Sequence, residues 1–148
     1  MKMIRNRKIE GSEAFMEFRG KGLKGAEPGW VTGTVIRWYG NISFLEEVKP
    51  EKGILVKEGQ EMDIRDKVLV FEGGSGSTVG SYNLFNLRIY GNAPAAIVMR
   101  KADAIISIGC IMADIPLVHR LDEKGMDMLR SGIEAQVNSG MGLVRVPS

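Results

Sequence analysis

Apolar and polar positions divide this chain into two halves with different rhythms. The first half carries short apolar runs, Val31-Thr32-Gly33-Thr34-Val35-Ile36-Arg37-Trp38, Gly53-Ile54-Leu55-Val56 and Lys67 to Phe71, broken by glycine and proline. Runs of β-branched and aromatic residues bounded by turn formers predict strands. The stretch Gly20-Lys21-Gly22-Leu23-Lys24-Gly25-Ala26-Glu27-Pro28-Gly29 predicts a surface loop by composition. From Ser77 the rhythm changes: Val79, Tyr82, Phe85 and Ile89 recur at helical spacing, with Leu84 and Leu87 widening the stripe. Gly91 and Pro94 mark the end of that helix.

Ala95-Ala96-Ile97-Val98-Met99 predicts a compact buried strand, and Asp103 suits the N-cap of a second helix running through about Met112. Gly109 is a weak point inside it. Ile115-Pro116-Leu117-Val118 returns as a strand whose proline places it at an edge or at a strand start. A charged, turn-like piece follows from Asp122 to Ser131. Ile133-Glu134-Ala135-Gln136-Val137 and Leu143-Val144-Arg145-Val146 then flank Ser139-Gly140-Met141-Gly142, the pattern of a closing hairpin. Strands alternating with two helices imply right-handed crossovers and a partly parallel sheet. The β-rich first half adds antiparallel or barrel-like strands, which makes the whole a β/β/α domain.

Composition narrows the function classes. At 148 residues the chain suits one domain, 1–148, able to bury a core without disulfide staples. A net charge of +2 with scattered Lys and Arg gives no footprint for nucleic acid or an anionic membrane. No stretch approaches the ~20 apolar residues of a membrane span, and the basic start at Met1 to Lys8 lacks a signal peptide's apolar core. A cytoplasmic location is the default. Cys110 and His119 are each the sole residue of their type, too few for a zinc site or an iron–sulfur cluster. Cys110 reads as a small buried hydrophobe and His119 as a satisfied or solvent-facing histidine. Trp30, Trp38 and Tyr39 read as packing residues, and Arg88, Arg100, Lys101 and Arg120 as solvated surface charges.

The chemistry concentrates in Val68-Leu69-Val70-Phe71-Glu72-Gly73-Gly74-Ser75-Gly76-Ser77-Thr78-Val79-Gly80-Ser81-Tyr82. A strand that ends in a glycine-dense loop and passes straight into a helix gathers free N–H groups and hydroxyls at one point. Three roles remain open from the residues alone. The loop can bind a phosphate or carboxylate through the amides of Ser77, Thr78 and Val79. It can present a reactive hydroxyl, with Ser77 best placed at the helix start. It can also be a tight turn in which Ser77 is merely an N-cap. No Gly-Lys-Ser/Thr follows, and Gly80 falls one position too late for the dinucleotide fingerprint.

Three blocks in this region resemble the small-subunit, or swivel-domain, part of the aconitase X family. They are Gly74 to Tyr82, then Asn92-Ala93-Pro94-Ala95-Ala96-Ile97, then Ile108-Gly109-Cys110-Ile111-Met112-Ala113-Asp114-Ile115-Pro116-Leu117-Val118. They keep the family's order and spacing, and 68–121 is the motif-bearing core. Ile42-Ser43-Phe44 and Val48 to Gly53 are a weaker echo. The resemblance implies an α/β (β/β/α) swivelling-domain fold of aconitase type, with a mixed sheet or barrel-like β layer and two or three helices. It implies a hydro-lyase in two parts: a large subunit that carries the iron–sulfur cluster, and a small domain that closes over it and binds no metal itself. The substrate is then a small hydroxy acid, cis-3-hydroxy-L-proline or mevalonate 5-phosphate. Ser77 maps onto the family's general base, with Gly74, Ser75, Gly76 and Thr78 around the substrate. An anion-binding or assembly module of the same fold, without catalysis, is the alternative. Many relatives carry Lys or Arg where this chain has Ser75, which removes a cation and ranks hydroxyproline slightly ahead. Phe44-Leu45-Glu46-Glu47-Val48-Lys49 replaces a block that usually holds glycines and an acid, and its two carboxylates and lysine bear on substrate choice.

Overall fold

The computed structural model describes residues 3–8, 14–23, 29–76 and 78–148. Its strands are β1 (Met3–Lys8), β2 (Ala14–Arg19), β3 (Lys21–Gly22), β4 (Trp30–Arg37), β5 (Val48–Lys49), β6 (Ile54–Lys57), β7 (Gln60–Asp63), β8 (Val68–Phe71), β9 (Ala96–Met99), β10 (Leu117–His119), β11 (Glu134–Asn138) and β12 (Leu143–Pro147). Three helices interrupt them: α1 (Gly80–Ile89), α2 (Ala104–Ala113) and α3 (Glu123–Met128).

Nine strands form one sheet in the order β1-β2-β12-β11-β4-β8-β9-β10-β3, and β5-β6-β7 form a separate small sheet. Gly20 alone separates β3 from β2, so the last strand of the large sheet continues its second and the sheet closes as a barrel. At this seam the Gly20 amide donates to Gly142 (2.8 Å) and the Leu23 amide to Leu117 (2.9 Å). The buried Ser139 hydroxyl donates to the Leu23 carbonyl at 2.6 Å. The glycine-rich stretch at 20–22 is therefore a strand junction rather than a loop, and residues 24–28 of the expected loop lie outside the described residues. Its glycines fit because three backbones meet there: a β-carbon on Gly22 would stand 1.5 Å from the Ser139 carbonyl oxygen.

Strands β4, β8, β9 and β10 run parallel to one another, as the alternation of strands and helices predicts. Each side of this parallel group is buried. Val68, Val70, Ala96, Val98 and Val118 point into the barrel with Phe18, Val35, Val137 and Val144. Leu69, Phe71, Ile97, Met99 and Leu117 point the other way, against Leu84 and Leu87 of α1 and Ile106, Cys110 and Ala113 of α2. Burial on both faces explains why β8 and β9 read as unbroken apolar runs instead of alternating ones. Pro116 precedes β10, whose start it marks, and Ser139 to Gly142 form the hairpin turn between β11 and β12 as the spacing predicts.

Two expectations fail in detail. The segment Asp122 to Ser131 is not merely a turn: Asp122 caps the short helix α3 by accepting from the Gly125 amide at 2.8 Å. Helix α1 also turns a different face inward than its apolar stripe suggested. Gly80, Leu84 and Leu87 are buried, while Val79, Tyr82 and Ile89 are exposed. The reason lies in the helix pair: α1 and α2 meet at Gly109, where a β-carbon would stand 2.5 Å from Leu84 Cδ1 and 3.2 Å from Ser81 Cα. The glycine that weakens α2 as a helix is what lets the two helices approach.

Both close approaches give measurable costs. Gly109→Ala should lower unfolding free energy by about 1–3 kcal/mol through overpacking. Gly22→Ala meets backbone rather than a yielding side chain and should cost about 3 kcal/mol or more. Denaturant midpoints at constant m-value check both.

Candidate functional site

The glycine loop leaves the carboxyl end of β8, the end of parallel strands where ligands of α/β sheets bind. It does not hang free. Residues 40–43, which follow β4, run alongside it: Ile42 forms a parallel bridge with Gly74, its amide donates to Gly73 (3.0 Å), and Ser75 donates back to Ile42 (3.1 Å). The Ser75 amide is thus used within the chain. No described residue accepts a hydrogen bond from the amide of Gly76 or Thr78. Ser77 lies outside the described residues. Thr78 and Val79 form a turn ahead of α1, which begins at Gly80 with no side-chain cap; the Thr78 carbonyl accepts from the Ser81 amide and hydroxyl.

A narrow crevice of about 40 Å³ opens at the loop, lined by Phe44, Gly74, Ser75, Gly76, Gly80, Asp103, Ile105 and Ile106. Four of the five predicted site residues are placed: Gly74, Ser75 and Gly76 line this crevice, and Thr78 stands exposed beside it. Gly76 is favoured by its left-handed backbone, and Gly74 lies close against a neighbouring side chain. A β-carbon on Gly74 would meet Asp103 Oδ2 at 2.7 Å, and one on Gly76, whose φ is +95°, would meet Ser43 Oγ at 2.7 Å. Asp103 and Ser43 are site neighbours that sequence reading did not assign. Asp103 was legible only as a cap, which it is, accepting from the Ile106 amide at 2.8 Å.

The floor under the loop is charged. Glu72, the last residue before the glycines, accepts from Arg100 Nε at 2.6 Å and from Arg37 Nη2 at 3.4 Å. Arg37 is almost fully buried and also donates to the carbonyls of Met126 (2.6 Å) and Leu129 (3.2 Å), which ties α3 to the same point. Arg100 pairs with Glu123 as well, and its hydrogen bond to Glu72 raises its pKa above the ordinary arginine value. Arg88 closes the far end of α2, donating to the carbonyls of Ala113 (2.8 Å) and Asp114 (3.1 Å). Arg88 and Arg100 are therefore structural donors rather than solvated charges, whereas Lys101 and Arg120 are exposed as expected. Glu47 is likewise committed internally, accepting from the Ser43 amide at 2.8 Å and pairing with Lys57, which leaves Glu46 and Lys49 as the exposed charges of that block.

The two tryptophans pack as expected, Trp38 against the core and Trp30 under the Arg145 guanidinium at 3.9 Å, and Tyr39 does not. Tyr39 is 71% exposed, its ring stacked on Arg37 at 4.5 Å. Among the described residues no group of three or more His, Cys, Asp or Glu side chains can hold a metal ion, and no helix is long and apolar enough to cross a membrane. Cys110 is sealed in the core, where burial pushes its thiol pKa far up, so it offers no thiolate to a cluster.

A mixed barrel whose parallel strands carry two helices on one side and a glycine loop at their carboxyl ends is the architecture of a swivel domain. Residues 20–146 match the family model for the aconitase X swivel domain, and the chain belongs to that family. The phosphomevalonate dehydratase small subunit of Archaeoglobus fulgidus is 46% identical over 108 residues, covering 71% of this chain and 81% of that protein. That of Methanocella arvoryzae is 34% identical over 134 residues, covering 88% and 99%. Among solved structures, the holo-form of Thermococcus kodakaraensis aconitase X superposes with a TM-score of 0.81 at 33% identity, over 89% of this chain and 98% of that one. The swivelling α/β fold with its barrel-like β layer stands as the resemblance implied.

His119 sits at the end of β10, on the same rim, and its Nδ1 accepts from the Ala102 amide at 2.9 Å. Burial, together with the cations of Arg120 and Lys21, pulls its pKa below the usual 6.5. Between that lowered value and 6.5 the unfolded chain binds the proton more readily than the folded one. The folded state accordingly loses stability as pH falls through this window and keeps it above. NMR titration should place the His119 midpoint below 6.5, and His119→Asn should flatten the acid-side decline in the denaturation midpoint.

Proposed function

We propose that this chain is the small subunit of a phosphomevalonate dehydratase and contributes one wall of an active site completed by a large, cluster-bearing subunit. The supporting observation is the combination of family membership with an open glycine-loop crevice at the ends of the parallel strands. The crevice is too small to enclose a substrate, as half of a shared site would be. The Archaeoglobus fulgidus and Methanocella arvoryzae relatives are phosphomevalonate dehydratase small subunits, which supports mevalonate 5-phosphate. Ser75, taken alone, slightly favours hydroxyproline. In this reading the missing cation of the loop is supplied by the partner.

The described residues do not fit an iron–sulfur cluster, and the cluster in this reading belongs to the partner. To this chain we assign proton removal. Ser77 takes the proton from the substrate carbon, and the electron pair of that C–H bond becomes the new double bond as the hydroxyl departs. A serine hydroxyl is a weak base in water, so the side chain acts as its alkoxide, which becomes the neutral hydroxyl on taking the proton; that alkoxide needs hydrogen-bond donors that stabilise its negative charge in a site from which water is excluded. Helix α1 begins three residues further along the chain, at Gly80, and the positive end of its dipole supports that role. Closure by the partner provides the exclusion of water.

Mixing this chain with its large subunit should yield dehydration of mevalonate 5-phosphate, while either part alone should be inactive. Ser77→Ala should lower kcat by about 10²–10⁴-fold with an unchanged melting temperature. Full activity of that variant would overturn the assignment of the base, and activity on cis-3-hydroxy-L-proline alone would overturn that of the substrate.

A further inference from the structure

Asp103 has one more oxygen than its capping role uses. Its Oδ1 accepts from the Ile106 amide at 2.8 Å and closes the start of α2. Asn or Ser would do this equally well. The second oxygen is turned toward the glycine loop, 2.7 Å from where a β-carbon of Gly74 would stand. It has no hydrogen-bond donor and no ion-pair partner among the described residues. Lys101 follows Arg100 on the same strand exit, yet neither lines the crevice. Apart from Asp103, the crevice wall is backbone, apolar side chain and the hydroxyl of Ser75. The charge this chain brings to the described crevice is therefore negative, and the positive end of α2 is already neutralised by the same carboxylate.

We propose that Asp103 is a specificity-determining residue of the shared site: its free oxygen accepts a hydrogen bond from a hydroxyl of the bound hydroxy acid and repels the substrate's anionic ends toward the partner's wall. This rests on the reading of the crevice as part of an active site. A small wall that accepts and a large wall that supplies cations fix the orientation of a substrate carrying hydroxyl groups between two anionic ends. The arrangement also accounts for Ser75: a lysine or arginine there would pair with Asp103 and cancel its charge.

The test uses the reconstituted two-subunit enzyme, once the wild-type pair has been shown to dehydrate mevalonate 5-phosphate. If that pair is inactive, the reading of function fails and the role of Asp103 falls with it. Asp103→Asn keeps the cap and removes the charge, so its melting temperature should stay close to wild type. Its kcat/KM should fall at least tenfold, and inorganic phosphate should inhibit it at least threefold more tightly, because the repulsion has gone. Asp103→Glu should recover the weak phosphate inhibition of the wild type. A merely structural cap would move neither phosphate inhibition nor its rescue by glutamate. Asp103→Asn within twofold of wild type in both kcat/KM and phosphate inhibition would overturn the proposal. Should Asp103→Asn prove unstable, Asp103→Ser carries the same comparison with a different cap.

Discussion

Strands β8 and β9 have no face left for water, and most of the molecule is arranged to make that possible. All four residues of each are buried, Val68 to Phe71 and Ala96 to Met99. A parallel pair of this kind cannot be stabilised by one layer. It needs helices on one side and, here, a closed barrel on the other. The antiparallel strands β2, β11 and β12, and the seam at Gly20 to Gly22, exist in this sense to cover the second face of two short strands. The α1/α2 pair, brought together at Gly109, covers the first. Remove either layer and four of the pair's eight side chains face solvent, each large buried apolar side chain being worth about 1.5–3 kcal/mol.

The same constraint fixes where chemistry can happen. Backbone buried on both faces leaves only the strand ends open, and at the carboxyl end two exits lie side by side: the glycine loop after β8 and the Arg100 to Asp103 segment after β9. Each exit is pinned. Glu72 is held by Arg37 and Arg100, and Asp103 is held by the first turn of α2. The crevice between them is rigid by construction on its own side and open on the other, the form required of half an active site.

Much of this was legible in the order of the residues. The parallel core, the second helix with its Asp103 cap, the closing hairpin and the glycine loop all follow from local pattern because each depends on neighbours in sequence. What was not legible depends on distant partners. The barrel seam pairs residues 20–23 with 117 and 139–142, and nothing in a glycine-rich composition distinguishes a junction of three backbones from a loop. The inward face of α1 is decided by Gly109 on another helix, so its exposed Val79, Tyr82 and Ile89 misled the periodicity. Arg88 and Arg100 looked like surface charges because their acceptors lie 23 or more residues away. Asp103 was recognised for the oxygen that serves its own helix; the other oxygen acquires meaning only from Gly74, which the fold brings beside it.

The central claim is that the rim of the parallel strands at the glycine loop is the surface closed by a second polypeptide. Amide hydrogen exchange on this chain, alone and in complex with its large subunit, addresses it directly. The account predicts that exchange slows on complex formation at 74–81 and 101–106, the two exits that border the crevice. Protection confined to the outer faces of β11 and β12, with the loop amides exchanging at unchanged rates, would contradict it.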